Sequence, residues 1–153
     1  MNIFLKTEDE IELMREANLL VGKTLAEVGR HVKPGVTTLQ LDKIAEEFIR
    51  DNGAIPTFKG FPSSYGPPFP GSICSSVNDV VVHGIPSEDV VLKDGDIISI
   101  DCGTLLNGFN GDSCYTFCVG EVSEDIMNLL RATKESLYKG IEVAEAGHHV
   151  GDI

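Results

Sequence analysis

Basic residues are scarce in this sequence: 12 Lys and Arg stand against 24 Asp and Glu, for a net charge of −12. Affinity for a nucleic-acid backbone rests on clustered cations, and the few present are scattered, so direct nucleic-acid binding is not expected. Long apolar runs are missing as well. None approaches the ~20 residues a membrane-spanning helix needs, and Met1 to Lys6, followed by Thr7 and three acids, lacks the pattern of a secretion signal. The expectation is a cytoplasmic protein with no membrane partner. The four cysteines, Cys74, Cys102, Cys114 and Cys118, include no C-x-x-C pair, which argues against a disulfide framework and a structural zinc. They read as small buried hydrophobes. No short internal repeat is present, and no Gly, Asn or Pro stop signal follows the closing Gly151-Asp152-Ile153.

What remains is an ordinary globular composition, 42% apolar over 153 residues, for which one domain spanning 1–153 is expected. Thr7-x-x-Glu10 is a capping box, and Ile11, Met14, Ala17, Val21, Leu25 and Val28 follow at helical spacing until Pro34-Gly35. Thr37-x-x-Gln40 repeats the signal ahead of a stripe of Leu41, Ile44, Ala45 and Phe48 that Gly53 terminates. Short strands are expected at 72–77 and 80–83. Ser123 then caps a third helix through Met127, Leu130, Leu137, Ile141 and Ala144.

The most informative stretch lies between them. Ile97 to Leu106 is a β-type run, Asn107-Gly108 is a strong two-residue hairpin signal, and Phe109 to Val119 returns with aromatic and β-branched residues. A two-residue turn pairs 106 with 109, so Asp101 faces Cys114. Asp112 then lies two residues diagonally from that pair, on the same side of the sheet. Like charges on neighbouring strands among apolar residues are costly unless a cation lies between them. A divalent ion, or two ions roughly 3.5–4 Å apart, would relieve the repulsion and suit hydrolytic chemistry. Solvated turn aspartates are the other reading of the same pair.

Two further segments admit two readings each. The Gly- and Pro-rich loop 59–71 interleaves Phe61, Tyr65 and Phe69. It is either a rigid apolar wall of a pocket or an Ω-like surface loop packed on its own prolines. His83 follows three valines and precedes Gly84. It is either a structural histidine at a strand end or a group facing a bound substrate, whose backbone the glycine lets approach. His31, His148 and His149 fall at helix ends and read as surface residues.

Taken together, Asn78 to Pro86, Lys93 to Thr104, Gly108-Phe109-Asn110-Gly111-Asp112-Ser113 with Thr116-Phe117, Lys33-Pro34-Gly35-Val36-Thr37 and Gly53-Ala54-Ile55-Pro56-Thr57-Phe58 resemble the methionine aminopeptidases of the short bacterial type I form, in order and with the right gaps. The resemblance runs from Thr7 to Asp152. It implies an α/β (α+β) pita-bread aminopeptidase fold, of which only the first of two pseudo-symmetric halves is expected here. It also implies removal of the N-terminal methionine from nascent proteins by hydrolysis assisted by two divalent metal ions (Co, Fe, Mn or Zn). The partners implied are nascent polypeptides beginning with Met and, at one remove, the ribosome. Carried over by position, Asp101 and Asp112 would be metal ligands. His83 would be the catalytic, substrate-side histidine, and Cys74, Tyr65 and Phe69 would line the methionine pocket.

Of the five ligand side chains the resemblance implies, a His and two Glu have no counterpart in this sequence, so the chain alone is expected to be neither a competent peptidase nor a stable monomer. Two alternatives share the fold: a binding module without catalysis, and a proline-specific peptidase. The Val82 to Pro86 context and Cys74 favour methionine.

Overall fold

The computed structural model describes residues 4–63 and 66–153. Two compact units divide it, residues 1–120 and residues 121–153.

In the first unit, α1 (Glu8–Gly29) opens on a capping box: the Thr7 side chain accepts from the Glu10 N–H while the Glu10 carboxylate accepts from the Thr7 N–H. That reciprocal pair satisfies two donors of the first turn. Thr37 and Gln40 do the same for α2 (Thr38–Asp51), and Gly53, at φ 75°, closes it. β1 is Ile55–Pro56, β2 Ile73–Val77, β3 Ile97–Leu106 and β4 Phe109–Cys118. All pairings are antiparallel. β4 runs along the full length of β3, while β1 and β2 share the opposite edge of β3. The turn residues Asn107 and Gly108 are both left-handed, at φ 52° and 83°, which matches the right-handed twist of the arms.

Both helices cover one face of this sheet. Ile98, Ile100 and Cys102 of β3 point into that layer and meet Val21, Leu25 and Val28 of α1 and Leu41, Ala45 and Ile49 of α2. Thr104, on the same face, donates its hydroxyl to the Ala17 carbonyl at 3.2 Å. α1 comes so close to β4 that a Cβ on Gly111 would lie 2.5 Å from the Ala17 oxygen, so the crossing requires glycine there.

Several sequence expectations need correction. Residues 80–83 form no strand: after Asn78 the chain leaves the sheet as a loop with Val81 87% exposed. Met14 is half-buried rather than core, and Leu19 is exposed, because the buried stripe of α1 starts only at Ala17. The buried face of α2 includes Asp42, 4% exposed, while Ile44 and Phe48 are only half-buried. The short β1 was not anticipated. Cys114 is exposed and Cys118 half-buried, so only Cys74 and Cys102 are the buried thiols expected of all four.

The second unit consists of α3 (Glu124–Glu142), capped by Ser123 through the Ile126 N–H, and a 3-10 turn at Val150–Asp152. α3 ends two residues short of Ala144 and buries none of its residues.

Candidate metal and substrate site

The face of the sheet turned away from the helices collects the chemistry. Alternation along β3 sends Ile98, Ile100 and Cys102 inward, so Asp101 and Gly103 point the other way. The register pairs Asp101 with Cys74 of β2 on one side and with Cys114 of β4 on the other, and Gly103 with Asp112. The register expected from the Asn-Gly turn is therefore the one the hairpin adopts. Two carboxyl groups and two thiols share one face.

Asp101 and Asp112 are diagonal neighbours on adjacent strands of this face. Burial, and after it the charge of Asp112, push the Asp101 carboxyl above the usual aspartate range. The imidazole of His83 and the Cys102 N–H oppose that rise. His83, which arrives from a separate loop, is close enough for its charge to act on Asp101. Cys74 is a thiol at neutral pH, pushed up to about 12 by burial and then by the neighbouring Asp101 charge; Cys114 is raised for the same reasons. Protonated thiols are small, polarizable and apolar in character. The donor chemistry is thus two oxygen groups, hard and anionic, whose mutual repulsion a divalent cation would relieve. The pair fits such an ion as part of a coordination set. Among the described residues no group of three or more His, Cys, Asp or Glu side chains converges to complete one.

Around the pair, the structure adds residues that sequence reasoning passed over. A Cβ on Gly103 would lie 2.2 Å from the Thr57 hydroxyl and 2.8 Å from the Phe58 ring, so these two side chains lie over the sheet beside Asp112. The Thr57 N–H bonds the Gly103 carbonyl at 3.1 Å and fixes that approach. The signal was the Gly103 that follows Asp101-Cys102, a strand glycine that marks a close approach by another part of the chain. Phe69 is half-buried, and its backbone is pinned to Gly60 (2.8 Å) and Phe61 (3.0 Å), which cinches the Pro-rich loop. Tyr65 lies outside the described residues. The start of β2 is held from α2: the Asp42 carboxylate accepts from the Ser72 N–H at 2.6 Å and from the Ile73 N–H at 3.0 Å.

A model of metallopeptidase family M24 matches residues 12–153. The chain belongs to this family. Among M24 relatives, the methionine aminopeptidase of Clostridium acetobutylicum is 50% identical over 99% of this chain and 58% of its own length. Methionine aminopeptidase 1 of Bacillus subtilis is 52% identical with the same coverage. The crystal structure of methionine aminopeptidase from Rickettsia prowazekii superposes with a TM-score of 0.85 at 40% identity, over 92% of this chain and 54% of that one. This M24 chain therefore spans somewhat over half the length of the relatives it matches, and its fold is the pita-bread fold in part.

Proposed function

We propose that this chain is the N-terminal portion of a methionine aminopeptidase, which removes the N-terminal methionine from nascent proteins in the cytoplasm, close to the ribosome. The observation that carries the reading is the face of the sheet on which Asp101 and Asp112 are diagonal neighbours while Cys74 stands in the same row as Asp101. The names of relatives at 50% and 52% identity supply the substrate.

In this reading Asp101 and Asp112 would contribute carboxylate ligands to divalent metal, and the remainder of the complete polypeptide would provide the other ligands. Ions bound there supply Lewis acidity toward the scissile carbonyl and toward water. His83 contacts the scissile amide and donates to the charge that develops on it. Cys74, protonated, joins Phe58 and Phe69 in an apolar, sulfur- and ring-lined wall that suits an unbranched thioether and excludes water. The two carboxylates of this chain are too few to hold two ions by themselves, so the chain alone is not a competent peptidase.

The test is Asp112→Ala in the complete polypeptide, assayed on a Met-Ala-Ser peptide with added Mn or Co. Hydrolysis is lost while the circular dichroism spectrum is kept. Near-normal turnover overturns the metal assignment.

A further inference from the structure

His83 is held in a conformation that an L-residue adopts only under constraint. Its φ is +57°, in the left-handed region where a Cβ crowds the following carbonyl. The next residue explains how that conformation persists. The Gly84 N–H donates to the Ser76 hydroxyl at 3.1 Å, and the Gly84 carbonyl accepts from the Ser75 N–H at 2.8 Å. Gly84 is thus laced to β2 on both sides of its peptide group. A Cβ there would lie 2.2 Å from the Ser75 oxygen, so the contact tolerates only glycine.

Ser76 itself is 5% exposed. Its register partner is Ser99, two positions from Asp101, so it shares the face and the strand of Cys74. The other end of the loop is tied just as firmly. Asn78, also left-handed at φ +52°, accepts from the Ile97 N–H at 3.0 Å and donates to the Asp96 carboxylate at 2.9 Å. Between these anchors Val80, Val81 and Val82 are exposed and contribute little packing. The placement of His83 therefore rests on hydrogen bonds at the loop ends.

We propose that Ser76 is a positioning residue for His83: its buried hydroxyl captures the Gly84 N–H and thereby locks the left-handed backbone that presents the imidazole to the Asp101 and Asp112 pair. Its importance for turnover rests on the aminopeptidase reading above; the positioning itself does not. Without the hydroxyl, the Gly84 donor loses its acceptor and only the Ser75 N–H on the Gly84 carbonyl is left to hold the preceding residue at a positive φ. The imidazole then samples conformations away from the carboxyl pair, while the binding wall around Cys74 is untouched.

The experiment has two arms. In the present chain, hydrogen exchange and 15N NMR are compared for wild type, Ser76→Ala and Ser76→Thr. The Gly84 amide exchanges about tenfold faster in Ser76→Ala, and the His83 backbone and ring resonances shift. Ser76→Thr, which keeps the hydroxyl, restores both. Should Ser76→Ala fail to fold, Ser76→Cys, nearly isosteric with a poor acceptor, takes its place.

In the complete polypeptide, kcat for a Met-Ala-Ser peptide falls about tenfold or more while KM stays within twofold, and Ser76→Thr recovers it. Unchanged Gly84 exchange and His83 resonances in a folded variant overturn the proposal whatever the activity. Altered resonances with unchanged kcat overturn its relevance to turnover. A wild-type polypeptide that cleaves no Met peptide refutes the aminopeptidase reading instead, and leaves the first arm to decide the positioning.

Discussion

Replacing Asp42 by alanine removes the acceptor that two backbone N–H groups share at the start of β2. Ser72 and Ile73 are fully buried, and their N–H groups meet Asp42 at 2.6 and 3.0 Å. Each buried donor left without a partner costs about 1–3 kcal/mol. Two such donors give about 2–6 kcal/mol, from which the recovered cost of burying a carboxylate must be subtracted. A net loss of about 3 kcal/mol is expected. That loss is read by urea unfolding of the purified chain.

Asp42→Asn keeps a carbonyl oxygen for both donors and removes the charge, so it stays within about 1 kcal/mol of wild type at neutral pH. The pH dependence follows from burial, which raises the Asp42 carboxyl above its ordinary value despite the two N–H donors and nearby Lys59. A carboxyl raised in the folded state favours folding when protonated. Its contribution is fully present below the ordinary aspartate pKa and is lost as pH rises through the raised folded value. The stability of wild type relative to Asp42→Asn should therefore decline across that acidic window and level off above it. An Asp42→Ala variant less than about 1 kcal/mol destabilised, or a wild-type to Asn difference that grows with pH, would refute the reasoning.

In the complete polypeptide His83→Ala should lower kcat by roughly 10² to 10³, the scale of losing one transition-state donor, with metal content by atomic absorption unchanged; loss of bound metal would mean that His83 is a ligand. Gly111→Ala should destabilise the first unit by about 1–3 kcal/mol in the same urea assay, because the new methyl meets the Ala17 backbone at 2.5 Å and a helix must move. Wild-type stability in that variant would show that α1 does not cross β4 as closely as described. Asp112→Ala, by contrast, sits on the open face of the sheet and should abolish turnover in the complete polypeptide without lowering the unfolding free energy by more than a few tenths of a kcal/mol; a large drop would mark the residue as structural.

The hairpin, both capping boxes and the opposition of Asp101 to Cys114 were legible from the sequence because each is decided locally. A capping box needs only residues three apart. An Asn-Gly turn sets the register of both its arms, and alternation then assigns every side chain a face. The candidate carboxyl pair followed from that arithmetic alone. M24 membership was legible for a related reason: several short motifs keep their order and spacing along the chain.

What local pattern could not decide was where separate segments meet. Val80 to His83 has strand composition, yet Asn78 spends its side chain on Ile97 and Asp96, and the chain turns off the sheet instead of extending it. Asp42 looks like a solvated helix residue until β2 starts beside it with two unpaired N–H groups. Gly103 and Gly111 say nothing of what approaches them, whereas one makes room for Thr57 and Phe58 and the other for α1. Ser76 carries no signal at all until Gly84 folds back onto it. Hydrogen bonds and close approaches between distant segments depend on tertiary placement, and no periodicity encodes them. The sequence by itself determined the helices, the hairpin and the shared face of its two aspartates; only the tertiary structure decided which loop, which glycine and which buried serine stand around them.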